Sequence, residues 1–273
     1  MLIFFGLVGL GLLLWFSYRQ WQARRRQALF TAALSAARLR VLQNRVPIYT
    51  RLPLPLRQEL HGLVNIFLHE KRFVGCAGLA ISEEMRLTIA GNACLLLLKR
   101  DRNCFPGFTT ILLYPDTYVT TEHVYDGLVE TRAESVRSGE SWQRGPVVLS
   151  WADVLRGARE GSAGHNVVLH EFAHKLDEEN DSMDGLPVLR SRADYAQWAA
   201  VLSREFEALL VRVEQGRNEV LDEYGAVSAA EFFAVATESF FEKSRAMKQG
   251  LPELYRQLEK FYGLDPAAWP ERH

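Results

Sequence analysis

The stretch Val167-Val168-Leu169-His170-Glu171-Phe172-Ala173-His174 decides how this chain is read. Its apolar residues recur at helical spacing, so it predicts a buried helix rather than a strand. One turn of that helix separates His170 from His174, which sends both imidazoles off the same face, where they can grip one metal ion. Glu171 lies about 100° round the axis from His170, within reach of a water on that metal without being a ligand itself. In a chain with seven histidines this H-E-x-x-H pattern arises by chance in on the order of one sequence in a hundred. The apolar flanks argue against chance, because two histidines and a glutamate in such surroundings need a strong compensating partner. Zinc held by two imidazoles and one carboxylate keeps an open coordination position, as hydrolytic sites do.

The third ligand has to come from elsewhere. Downstream, Ser228–Lys243 (SAAEFFAVATESFFEK) predicts another helix, with Glu231 and Glu238 seven residues apart on one face among several phenylalanines. Carboxylates amid that much aromatic surface are costly without a partner. Spacing alone does not choose between them. Asp177 and Glu238 are candidates to hold an N–H of a ligating histidine, although Asp177 reads equally as helix surface beside Lys175. His165 sits about 140° from His170 on a continued helix, which places it nearer the helix start than the metal.

Working outward, the chain predicts helices over about 55–70, 83–100, 163–178, 191–215, 228–244 and 251–262, and strands near Phe73–Ile81, Thr109–Tyr114 and Val147–Trp151. Strands early and helices late indicate an α+β domain with a small sheet. Pro47, Pro53 and Pro55 punctuate the chain and set the expected boundary of the peptidase-type domain, 51–273. Ahead of it, 22–46 reads as a basic amphipathic helix that lies on a membrane or packs on the body, within a juxtamembrane segment 19–50. Residues 1–18 (MLIFFGLVGLGLLLWFSY) are almost wholly apolar and would span about 27 Å as a helix, which predicts a single-pass transmembrane anchor. Neither a leading positive charge nor a small-residue cleavage site accompanies them, as a signal peptide would require. Arg19 and Arg24–Arg26 follow directly, so the positive-inside rule puts the remainder on the cytoplasmic face of a membrane; a wholly cytoplasmic chain is the alternative.

Charge is unevenly spread. Net charge is -1, yet nine of the 32 Lys and Arg residues and none of the 33 acids fall within residues 1–58. A basic arm on an acidic body fits anionic lipid better than nucleic acid, and no direct nucleic-acid binding is expected. The three cysteines show no C-x-x-C spacing and read as reduced thiols rather than a disulfide framework. With 48% hydrophobic and 24% charged residues, the composition excludes a disordered or fibrous chain.

Several separated segments together resemble one family. His170–Asp177 (HEFAHKLD), Ser138–Trp151 (SGESWQRGPVVLSW), Ile111–Pro115 (ILLYP), Lys71-Arg72 and Ala230–Phe241 (AEFFAVATESFF) are similar to the Mlc titration factor A family of bacterial zinc peptidases, in the family's order, over roughly residues 55–265. That family resembles in turn the catalytic domain of anthrax lethal factor, a zincin, which implies a zincin-like fold. The resemblance implies His170, His174 and Glu231 as zinc ligands, and Tyr224 as an active-site tyrosine that stabilises the oxyanion. It implies aminopeptidase-like hydrolysis of peptides by a zinc-bound water that Glu171 activates. It also implies a possible protein partner, a DNA-binding repressor of sugar-uptake genes. The hydrophobic, arginine-rich N-terminus departs from the family's soluble members. By analogy with zincins, Val147–Trp151 is a candidate edge strand for a peptide substrate, with an interior strand as the alternative.

Overall fold

A small sheet sits within a mostly helical chain, and the elements follow from where the chain concentrates its apolar side chains. The computed structural model describes residues 2–100, 102–116, 118–126, 129–137, 139–141, 145–160, 164–217 and 220–270. The chain opens with α1 (Leu2–Thr31) and α2 (Ala36–Arg45), followed by a short 3-10 turn at Pro47–Arg51. Then come α3 (Leu54–Glu70), β1 (Arg72–Gly75), α4 (Glu83–Leu95) and β2 (Thr110–Tyr114). Next are β3 (Tyr118–Asp126), β4 (Val129–Arg137), β5 (Gly139–Ser141), β6 (Val147–Ser150) and α5 (Trp151–Glu160). The C-terminal half is α6 (Val167–Asp177), α7 (Asp194–Glu214), α8 (Ala229–Glu242), α9 (Ser244–Gly250) and α10 (Pro252–Tyr262). This is an α+β architecture, as expected.

The main sheet runs in the order β1-β2-β6-β5. β1, β2 and β6 are parallel, and β5 closes the edge antiparallel to β6. Ile111 and Leu113 of β2 sit opposite Val147 and Leu149 of β6, and all four are fully buried. Val147–Ser150 is therefore an interior strand; the edge belongs to β5. β3 and β4 form a separate antiparallel ribbon.

Aromatic contacts fasten the helices to one another. The rings of Phe67 on α3 and Phe105 meet Phe172 of α6, with centroids 5.6 and 4.9 Å apart, within the range at which aromatic pairs add to burial. On the other side of α8, Phe233 meets Trp198 of α7 and Phe261 of α10. These contacts hold α6 and α8 side by side, which is the arrangement the site depends on.

Several elements differ from the sequence expectation. The strand from Phe73 ends at Gly75, because Ala77 and Gly78 both take positive φ and turn the chain. The helix from Glu83 ends at Leu95, where i→i+3 bonds tighten the next turns toward a left-handed Lys99. The basic helix over 22–46 is broken: α1 stops at Thr31 and Ser35 caps a new helix, its side chain accepting from Arg38 N. Its second half packs on the body, with Leu42 and Val46 fully buried against Gly91 of α4. The C-terminal part of α1 is tied down too, since Asn65 of α3 donates to the carbonyls of Leu29 and Ala32.

The anchor expected over Met1–Tyr18 is not supported: among the described residues no helix is long and apolar enough to cross a membrane. Met1 lies outside the described residues, as do the side chains of 2, 3 and 5–9.

Candidate metal centre

α6 starts where it does because Asn166 caps it, its side-chain oxygen accepting from Leu169 N at 3.1 Å. Val168, Leu169, Phe172, Ala173 and Leu176 bury one face in the core. His170 and His174 leave the other face toward α8. That helix is capped by Ser228, whose hydroxyl accepts from Glu231 N at 3.2 Å. Glu231 occupies the third helical position, where a capping-box glutamate would fold back on its own cap. Its carboxylate instead faces the two imidazoles.

Three atoms converge there. His170 Nε2 is 2.9 Å from Glu231 Oε2, His174 Nε2 is 3.3 Å from the same oxygen, and the two ring nitrogens are 3.2 Å apart. Tetrahedral zinc with bonds of about 2.0–2.2 Å holds its ligand atoms roughly 3.3 Å from one another, which is this triangle. Among the described residues this is the one group of three or more His, Cys, Asp and Glu side chains with metal-ligand spacing. The donor chemistry fits a cation as well. His170 Nδ1 stands 2.8 Å from Glu238 Oε1, and since a carboxylate only accepts, Nδ1 carries a proton and Nε2 is the nitrogen left to face the triangle. Nε2 faces a carboxylate oxygen too, so the contact needs positive charge, either a proton on Nε2 or a cation in its place. The protonated form shows in the His170 pKa: burial lowers it, but hydrogen bonds to Glu231 and Glu238 outweigh it and raise it well above the ordinary value. The same imidazoles drive the Glu231 carboxyl far below its ordinary range despite burial.

Glu231 and Glu238 thus grip opposite nitrogens of one ring, the consequence of seven-residue spacing on α8. Glu238 is itself held, its second oxygen accepting from the backbone N of Asn166. Glu242, one turn on, accepts from Asn166 Nδ2 at 3.0 Å and Gly164 N at 3.0 Å. Burial pushes the Glu242 carboxyl up to about 7. Asn166 is therefore the joint between α6 and α8, and sequence reading did not single it out; the signal was its place just before an apolar helical run.

Glu171 is 4% exposed, and its Oε2 has no hydrogen-bond partner among the described residues. Burial raises its pKa to about 7, with His170 and His174 pulling the other way. A buried carboxylate oxygen without a donor, next to the metal triangle, is poised to accept a proton. Tyr224 lies in a 3-10 turn at Glu223–Ala226, half exposed, with its ring 5.8 Å from that of His170. Asp222 sets that turn by accepting from Tyr224 N at 2.8 Å.

Two other candidates fall elsewhere. Asp177 is fully buried, but its Oδ2 accepts from Gly185 N at 2.8 Å, so it fastens the loop after α6 rather than a histidine. His165 is exposed and 3.5 Å from Asp222, outside the triangle.

Comparisons with known proteins place the chain in a metallopeptidase family. The family model described as "Glucose-regulated metallo-peptidase M90" matches residues 18–263. An uncharacterized protein of Synechocystis sp. is 38% identical over 262 residues, covering 95% of each chain. Mlc titration factor A of Serratia proteamaculans is 34% identical over 83% of this chain and 87% of its own. The Yersinia pestis protein of the same name is 31% identical over 91% of this chain and 90% of its own.

Proposed function

Because the chain belongs to the glucose-regulated metallo-peptidase M90 family, we propose that it is a zinc-dependent peptidase, aminopeptidase-like in action, with His170, His174 and Glu231 as the metal ligands. The observation that carries this reading is the triangle of two imidazole nitrogens and one carboxylate oxygen beside the unpartnered Glu171 oxygen. Bound there, zinc acts as a Lewis acid that polarises the scissile carbonyl and acidifies water.

The chain's own residues do the rest. Glu171 takes a proton from the attacking water and returns it to the leaving amine. Glu238 keeps the His170 proton on Nδ1, so that Nε2 stays a ligand atom. Tyr224 donates its hydroxyl to the oxyanion, an interaction worth most in the transition state. A peptide backbone adds to β5, the antiparallel edge of the sheet that packs on α6.

The test is metal analysis of the purified chain together with a chelator-sensitive peptidase assay on Glu171→Gln. That variant keeps stoichiometric zinc and loses turnover by roughly three orders of magnitude. Unchanged hydrolysis removes Glu171 from the mechanism.

A second reading rests on the name of the relatives, Mlc titration factor A, and on the acidic composition after residue 58: the chain binds a DNA-binding repressor, and hydrolysis is secondary. An H170A/H174A chain that loses zinc yet still captures such a repressor would carry it.

A further inference from the structure

Tyr224 reaches the metal site without being buried in a core that would fix it. Its residue is 52% exposed, and its ring stands 5.8 Å, centroid to centroid, from that of His170. An exposed aromatic side chain keeps much of its rotamer freedom. A donor to an oxyanion, by contrast, has to be held within about 0.5 Å of its working place. The backbone beneath the ring, the 3-10 turn Glu223–Ala226, decides where the phenol starts from.

That turn is seated from two sides. Upstream, the Val220 carbonyl accepts from Ser239 Oγ at 3.1 Å and from Lys243 Nζ at 3.3 Å, both toward the C-terminal end of α8, and Leu221 is buried. Within the turn, Gly225 lies so close to α7 and α8 that an added Cβ would meet Leu209 Cδ2 at 3.2 Å and Val235 Cβ at 3.3 Å.

Asp222 stands between these two anchors. Its Oδ1 accepts from Tyr224 N at 2.8 Å, and its Oδ2 lies 3.5 Å from His165 Nε2. His165 directly precedes Asn166, the cap of α6, and its own backbone N–H donates to Glu242. One carboxylate thus ties the amide of Tyr224 to the residue that leads into the metal-binding helix. The first N–H groups of a helical turn have no partner inside it, and aspartate is among the best acceptors for them. Without that acceptor the amide carrying Tyr224 is loosened, while Leu221 and Gly225 still hold the turn on the body.

We propose that Asp222 is a positioning residue for peptide hydrolysis, aiming the Tyr224 hydroxyl at the oxyanion. Its side-chain contacts are with Tyr224 N and His165, not with a metal ligand. The inference rests on the role given above to Tyr224.

Steady-state kinetics of Leu-Ala-Leu hydrolysis test it, on zinc-loaded full chains of Asp222→Ala, Asp222→Asn, Tyr224→Phe and the double variant Asp222→Ala/Tyr224→Phe. Zinc content stays stoichiometric in all four. Tyr224→Phe lowers kcat about 100-fold, as the loss of one oxyanion donor does. Asp222→Ala lowers kcat by about tenfold or more and leaves KM within about twofold, because the hydroxyl acts in the transition state. Asp222→Asn, which keeps an oxygen for Tyr224 N, returns kcat to within about threefold of native. In the Tyr224→Phe background Asp222→Ala costs less than about twofold, since the group it aims is gone. Native kcat in Asp222→Ala overturns the proposal. So does a loss that Asp222→Asn fails to relieve, one that is undiminished in the double variant, or one confined to KM. A Tyr224→Phe chain as fast as the native one removes the tyrosine's role and the proposal with it. Hydrolysis that Glu171→Gln abolishes stands under every one of these outcomes, so the peptidase reading is judged separately.

Discussion

At the scale of single residues, the site is organised around the two faces of one imidazole. Glu231 and Glu238 address opposite nitrogens of His170, at 2.9 and 2.8 Å, so each can be tested apart from the other. Glu238→Gln presents an amide that can still accept from Nδ1 but no longer carries the charge that favours that proton. Metal affinity should fall about 10- to 100-fold, the usual effect of losing a carboxylate behind a ligating histidine. Competition with a metallochromic dye measures it, and unchanged affinity would leave Glu238 a mere packing group. That His170, Glu171 and His174 share a site was legible from spacing alone, since the helical repeat leaves little freedom over four residues. The choice between Glu231 and Glu238 was not, because both lie on the same face and differ only in the height at which α6 crosses α8. Asn166 was hidden for a similar reason: its partners, Glu238 and Glu242, are 72 and 76 residues away.

At the scale of elements, the junction of α6 and α8 couples stability to pH through Glu242. Its carboxyl is buried, with a pKa pushed from 4.5 up to about 7 by desolvation, against the pull of hydrogen bonds from Asn166, Gly164 and His165. The folded chain therefore holds a proton that the unfolded chain releases between about pH 4.5 and 7. Stability from this group is complete below pH 4.5 and is lost as pH rises through 7. In Glu242→Gln that loss disappears. Urea denaturation of the two proteins should show the native chain falling relative to the variant by up to about 3 kcal/mol across the window; parallel curves would mean Glu242 titrates normally. Elements themselves were legible where apolar period and caps agreed, as in α3, α8 and α10. They were lost where a turn intervened. The β3–β4 ribbon is announced by alternating residues around Asp126-Gly127, a strong hairpin signal, yet it lies between motifs that draw the eye elsewhere. α5 begins directly at the end of β6, with no loop to mark it.

At the scale of the whole molecule, the triangle of His170, His174 and Glu231 joins α6 to α8, and aromatic contacts tie those two helices to their neighbours. Phe172 of α6 reaches α3 through Phe67, while Phe233 of α8 reaches α7 and α10 through Trp198 and Phe261. A cation bound among His170, His174 and Glu231 therefore bridges the two halves of the core, and its binding free energy adds to folding free energy. The acidic Glu231, Glu238 and Glu242 all belong to α8 and crowd the N-terminal half of α6, so withdrawing the cation leaves adjacent carboxylates with less to oppose them. At a free metal concentration of about 1,000 Kd the bound state is stabilised by about 4 kcal/mol. For a chain of this size, each kcal/mol moves Tm by roughly 2–4 °C. A chelator should thus lower the Tm of the native chain by about 8–16 °C in calorimetry, and added zinc should restore it. H170A/H174A should melt at one temperature with or without chelator. A native chain whose Tm ignores the chelator would show that nothing bound at this triangle contributes to the fold, and the bridge between α6 and α8 would then rest on Asn166 and its carboxylates alone.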